Sequence, residues 1–228
     1  MQRDLLDALR CPAPHDESWL VAMVHRADGP TLLEAELACP LCGAEYHVTR
    51  GEAWFSGTPD SVLPEASGNA KVGDSATDVE RLAAQLGVMG GLAPVLLSGR
   101  YAAVATDYAA LTGAPVVVIA TERLPMTIRD ARVSVLHIGH QVPLGAGTLA
   151  AAALDMGSAM ANDASLLLAS IARAVRTRGR MLAPISHRLP ATLTGTMREL
   201  ARDDDEWVAE VIAASSGLVE LRRSPPPV

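Results

Sequence analysis

The sequence predicts an α/β protein: a largely parallel sheet with helices on both faces, preceded by a small cysteine-bearing module. Three observations lead there. From Asp78 onward, near-continuous apolar runs of strand length alternate with helical stretches, the pattern of strands buried on both faces. All 3 cysteines lie in the first 57 residues, two of them in Cys39-Pro40-Leu41-Cys42-Gly43. Between these parts, residues 58–77 are rich in Gly, Pro, Ser and Asp, show little periodicity, and read as a linker. The expected organisation is therefore a module over 1–57, a linker over 58–77 and a sheet domain over 78–228.

Taken in order, Asp4–Leu9 predicts a helical turn, and Trp19–Val24 and Tyr46–Val48 predict short strands. Asp78–Leu86 predicts a helix, with an acid at its start and Gly87 just past its end. Five β-leaning runs follow: Pro94–Leu97, Val116–Ala120, Val133–Ile138, Leu149–Leu154 and Arg180–Ile185. Helical stretches lie between them at Tyr101–Leu111 and Asp163–Thr177. The second is expected to close on Gly179, with Arg173, Arg176 and Arg178 at its C-terminal end, where the helix dipole favours cations. Trp207–Ala214 predicts a last helix with Asp203–Glu206 as its N-terminal charge, and Leu218–Leu221 a final strand.

Composition narrows the function classes. The chain has 228 residues, 49% hydrophobic and 20% charged, so a sizeable core is available. A net charge of -7 and an aromatic content of 3% do not suit a general nucleic-acid surface. No apolar run reaches membrane-spanning length, and Met1-Gln2-Arg3-Asp4 lacks the apolar core of a signal peptide. Three cysteines cannot all pair within one chain. This points to a reducing, cytoplasmic location and to metal binding rather than disulfides. Lys71, the sole obvious candidate for a Schiff base, falls in the linker. No Gly-x-Ser-x-Gly elbow, phosphate loop or His-Glu-x-x-His motif is present.

The Cys39-Pro40-Leu41-Cys42-Gly43 knuckle places two thiolates where one tetrahedral Zn²⁺ can take both. Upstream, Cys11-Pro12-Ala13-Pro14-His15 supplies a third sulfur and an imidazole. The expected ligands are Cys11, His15, Cys39 and Cys42, with His25 and His47 as competitors for the fourth place. From Leu5 to about Phe55 this module resembles the small zinc-ribbon family that activates methyltransferases. The resemblance is carried by Leu5–Pro12, Cys39–Tyr46 and Arg50–Phe55. It implies a role in binding and stabilising a catalytic partner. The family often carries Cys where this chain has Pro14.

From Asp78 the order of elements resembles a class I S-adenosylmethionine-dependent methyltransferase, a Rossmann-like fold. Val133–Leu144 is similar to the family's third strand and following loop, Thr148–Asp155 to its fourth strand and terminal acid, and Arg176–Arg180 to its Arg-Pro-Gly-Gly-Arg turn. The resemblance implies cofactor contacts at Gly99, Glu122 and Asp155. Glu122 falls where the family places an acid for the ribose hydroxyls, and Asp155 where it lines the methionine pocket. The family's first strand ends in an acid and a Gly-x-Gly-x-Gly turn. Here Leu97-Ser98-Gly99-Arg100-Tyr101-Ala102-Ala103 has no acid and a single Gly, and Arg100 and Tyr101 are expected to project into the cofactor space. Asn-Pro-Pro-Tyr is absent, no catalytic residue is assigned, and His137 and His140 are candidates for the sheet's C-terminal edge. The expectation is a methyltransferase-fold protein that has lost S-adenosylmethionine binding and serves as a non-catalytic binding or scaffold protein, with a protein partner or a second copy of itself. The alternative is an active methyltransferase with an atypical cofactor turn, acting on RNA, protein or a small molecule.

Overall fold

The computed structural model describes residues 1–58, 75–120, 130–155, 164–187 and 193–212. Glu122, most of the expected linker and the expected strand at Leu218–Leu221 lie outside the described residues.

The N-terminal part is a meander. A 3-10 turn at Arg3–Ala8 leads to β1 (Val21–Asp28), β2 (Thr31–Ala38), β3 (Glu45–Thr49) and β4 (Glu52–Trp54), each antiparallel to the next. After it come α1 (Ser75–Leu86), β5 (Val95–Ser98), a second 3-10 turn at Gly99–Val104, α2 (Ala105–Thr112), β6 (Val116–Ala120) and β7 (Val133–His137). The chain continues through β8 (Leu149–Ala153), α3 (Ala164–Ala174), β9 (Val175–Pro184), β10 (Met197–Arg202) and β11 (Glu206–Val211).

All of these strands join one sheet, in the order β1-β2-β3-β4-β7-β6-β5-β8-β9-β11-β10. Strands β4 through β9 are mutually parallel, β11 runs against its neighbours, and β10 closes the far edge. The run β7-β6-β5-β8-β9 has the doubly wound order of a Rossmann-like α/β fold, which reverses direction between β5 and β8. The α/β expectation therefore holds for this part of the chain. Among the described residues no helix is long and apolar enough to cross a membrane.

The strands alternate between two cores because successive side chains point to opposite faces. On one face Val95, Leu97, Val116, Val118 and Val135 pack under α1 and α2. On the other, Leu96, Val117, Ile119 and Leu136 meet α3 and the N-terminal meander. That second face explains the meander's position. The β7–β8 crossover contains no helix, and Leu5 and Leu9 of the N-terminal turn join the same core as Leu136, Leu144 and Leu154 instead. Leu9 forms an isolated antiparallel bridge with Leu144, Arg10 N–H donates to Pro143 O at 2.9 Å, and Gly145 N–H to Ala8 O at 2.9 Å.

Two expectations are corrected. The helix expected over Asp163–Thr177 ends at Ala174, and Gly179 is not its cap but an interior residue of β9. A Cβ there would lie 2.5 Å from Ala150 O, so close packing of β9 on β8 selects glycine. Of the three arginines expected at that helix end, only Arg173 lies in its last turn. The second correction is Trp207–Ala214. Residues Glu206–Val211 are strand β11, paired on both sides, and Asp203 closes the β10–β11 hairpin by accepting from the N–H groups of Asp205 and Glu206. Its composition suits either state, and pairing between β9 and β10 decides for strand.

Leu9 is fully buried. Leu9→Ala is expected to cost about 2–5 kcal/mol of stability, the range for a large-to-small change in a core. Urea unfolding followed by tryptophan fluorescence measures this, and an unchanged midpoint would contradict docking of the N-terminal turn on the sheet.

Candidate functional site

Among the described residues, two sets that the sequence singled out have the chemistry of a site. The first is the cysteine cluster. Ligand atoms of Cys11, His15, Cys39 and Cys42 lie within 4.8 Å of one another, as the spacing of the motifs predicts, while His25 is drawn to Glu36 at 3.5 Å instead. Cys11 Sγ and Cys42 Sγ are 3.8 Å apart, and Cys39 Sγ lies 3.4 Å from His15 Nε2. A tetrahedron with Zn–S bonds of about 2.3 Å has edges of roughly 3.8 Å, so the donor set fits that ion. The His15 ring is oriented for it: Nδ1 lies 2.6 Å from Asp16 O, and a proton there leaves Nε2 as the free donor atom.

The electrostatics of the sulfurs differ. Burial opposes ionisation of Cys39, but the N–H groups of Cys42 and Leu41 and the neighbouring thiols outweigh it and bring its pKa down to about 6. Burial pushes the Cys11 thiol up. Sequence reasoning missed Tyr46 as part of this centre. Its hydroxyl lies 3.4 Å from Cys11 Sγ, and its ring packs on Phe55 at 4.9 Å. Burial, then the bond to Cys11, raises its pKa.

The second set lies where β5 and β8 end, the place where open α/β sheets bind their ligands. Here the chain itself bridges the two strands. The buried Ser98 hydroxyl accepts from Asp155 N–H at 3.1 Å and donates to Asp155 O at 3.3 Å. Gly99 has φ +56, and a Cβ on it would stand 2.1 Å from Asp155 O. Glycine is required at this turn by the approach of Asp155's own backbone. Gly99 and Asp155 are thus brought together, in contact with each other.

Arg100 and Tyr101 do not both project above the turn, as the sequence led one to expect. Tyr101 is buried, and its hydroxyl donates to Glu206 at 2.5 Å. Arg100 reaches the same carboxylate at 2.5 Å and lies 3.8 Å from Asp155 Oδ2. Glu206 is only 2% exposed, and Gln85 at 3.3 Å and Arg81 at 3.5 Å complete its partners. Nothing in the sequence marks Glu206 as the hub, because its partners come from α1 and the turn after β5. His137, a candidate for the C-terminal edge, pairs with Glu52 at 2.7 Å and stacks on Trp54 at 3.6 Å, so it joins β4 to β7.

No family model matches the sequence, and no curated protein matches it. Solved structures similar to part of the chain include several methyltransferases. A geranyl diphosphate methyltransferase in complex with GPP and sinefungin is 19% identical, over 54% of each chain, with a TM-score of 0.36. The 1,6-didemethyltoxoflavin-N1-methyltransferase of Burkholderia thailandensis is 16% identical, over 61% of this chain and 82% of that one, with a TM-score of 0.43. The antibiotic-resistance methyltransferase Kmr is 17% identical, over 67% of this chain and all of that one, with a TM-score of 0.38. This chain spans about half the length of the geranyl diphosphate methyltransferases it matches, that of Streptomyces coelicolor A3(2) included. The fold assignment rests on strand order rather than on these distant likenesses.

In the reduced, metal-free chain, one thiol is expected to ionise near pH 6, against an ordinary value of 9.0. The thiolate's contribution to stability is full above pH 9.0 and lost as pH falls through about 6. A thiolate absorbance titration measures this; ionisation of every thiol near 9.0 would contradict the hydrogen bonds to Cys39. At the other set, Gly99→Ala is expected to destabilise by about 2–4 kcal/mol through overlap with Asp155 and left-handed strain. A thermal melt equal to that of the unaltered chain would contradict the contact.

Proposed function

We propose that this chain is a methyltransferase-fold protein that works by binding a partner, with a structural Zn²⁺ held by Cys11, His15, Cys39 and Cys42. The observation that carries the reading is the main chain of Asp155 against Gly99. A methionine-bearing cofactor needs close backbone approach at that turn, and there Gly99 faces the chain's own carbonyl of Asp155. Residues that elsewhere in such folds serve a ligand serve the chain here: Ser98 ties β5 to β8, and Arg100 and Tyr101 tie the turn to β11.

The zinc part of the reading is supported by donor type and spacing. Four protein ligands leave no open coordination position, so the ion would be structural rather than catalytic. It would join the knuckle of Cys39 and Cys42 to the segment of Cys11 and His15. That segment is continuous with Leu9 and Arg10 on the β7–β8 crossover. Zinc would thereby stabilise the cover over the sheet. The partner is a protein or a second copy of the chain.

A second reading, S-adenosylmethionine-dependent methyl transfer, is favoured by strand order, which gathers the C-terminal ends of β5, β6 and β8. Glu122 would then contribute from its position in the sequence just after β6, and Asp155 from the end of β8. Calorimetric titration with S-adenosylmethionine separates the readings. The binding reading expects no saturable heat, whereas micromolar binding that is lost in Glu122→Ala would replace it with the second. Elemental analysis of the same preparation is expected to find one zinc per chain, lost in Cys39→Ser. Zinc-free protein with unchanged stability would remove the metal from the proposal.

A further inference from the structure

The arginines of residues 173–180 are not equivalent. Arg173 pairs with Glu17 and donates to Leu144 O at 3.0 Å. Arg180 donates to Gln85 O at 3.0 Å and Ala84 O at 3.3 Å, which fastens α1 to β9. Both are committed to holding the fold. Arg176 and Arg178 are exposed and make no hydrogen bond or ion pair among the described residues.

Their position comes from an irregularity in the sheet. Between two rungs of the β8–β9 ladder, β8 advances from Leu149 to Ala151 while β9 runs from Val175 to Arg180. The surplus chain is extruded at the sheet edge opposite the β5–β8 crevice. Gly179 permits the return, and Arg178 sits at φ +67, a conformation that a side chain other than glycine seldom adopts. Bulges of this kind re-aim side chains and recur beside functional sites. Here the bulge turns Thr177 and Arg178 toward the β10–β11 hairpin. Together with Arg198, Glu210 and Ile212 they line an open, shallow surface groove of ≈ 440 Å³.

We propose that this groove binds a small phosphate-bearing molecule with an apolar body. Arg178 supplies an uncommitted guanidinium and Thr177 a hydroxyl for the phosphate oxygens, and guanidinium matches such oxygens in paired hydrogen bonds. Arg198 is held in place by Glu210 at 2.6 Å, and the half-exposed Ile212 offers apolar contact to the rest of the ligand. The size of the groove and the chain's net charge of -7 favour a small molecule over a nucleic acid strand, whose phosphates would meet repulsion beyond the groove.

The test is calorimetric titration of the full chain with phenyl phosphate, inorganic phosphate and a short RNA oligonucleotide. Phenyl phosphate is expected to bind saturably at one site and more tightly than inorganic phosphate. Arg178→Gly suits the backbone better than arginine, so this variant is expected to melt no lower than the unaltered chain while losing about tenfold or more in affinity. Arg26→Ala, which removes an exposed arginine paired with Glu34 far along the sheet, should bind as before. Absence of saturable binding, equal affinity in Arg178→Gly, or Arg178-dependent preference for the RNA would each overturn the proposal.

Discussion

The three rungs between β4 and β7 carry the continuity of the whole sheet. Without them β7 would present a row of unpaired backbone groups, and the apolar face above Leu136 would be open. The short β4 is reinforced on every side. Phe55 N–H donates to His137 O at 2.8 Å, His137 reaches back to Glu52, and Trp54 stacks on the same imidazole. From this junction a chain of contacts runs through Phe55 and Tyr46 to Cys11, so the cysteine cluster lies two aromatic rings from the seam it would stabilise.

A second constraint runs through β8. Its sequence, Leu149 followed by four alanines, gives the centre of the sheet unusually small side chains. Neighbouring backbone comes close at both of its ends. Gly99 meets Asp155 just beyond its C-terminal end, and Gly179 meets Ala150 near its start. In each case a glycine makes room for a main-chain carbonyl of the same molecule. The turn after β5 therefore has a structural reason for its one glycine, independent of any ligand.

The parts legible in the sequence were those buried on two faces. Val116–Ala120 and its neighbours are apolar at every position, and no solvent-facing alternation obscures them. The cysteine–histidine cluster was legible because its chemistry is carried by residue type and spacing. Strand β10 was not. Arg198, Glu199 and Arg202 make it a charged edge, which protects it from pairing further but removes the apolar signal of a strand. In β2, Leu, Glu and Ala favour a helix intrinsically, and only its pairing with β1 and β3 makes it extended. Glu206 and Tyr46 were invisible for another reason. Each acts on a residue distant in sequence, and only the fold brings the pair together.

The parallel seam also has a consequence for biosynthesis. Glu52 and His137 are 85 positions apart, so the meander leaves the ribosome well before the strand it must pair with. Until β7 and the crossover follow, Leu5 and Leu9 of the N-terminal turn have no parallel strands to cover. Contacts this distant in sequence close slowly, and exposed apolar surface of this kind is what chaperones capture. A cysteine cluster drawn from residues 11–42 is complete far earlier in translation. The first element able to fix the nascent meander is therefore local, and the seam that joins it to the parallel strands must wait for β7.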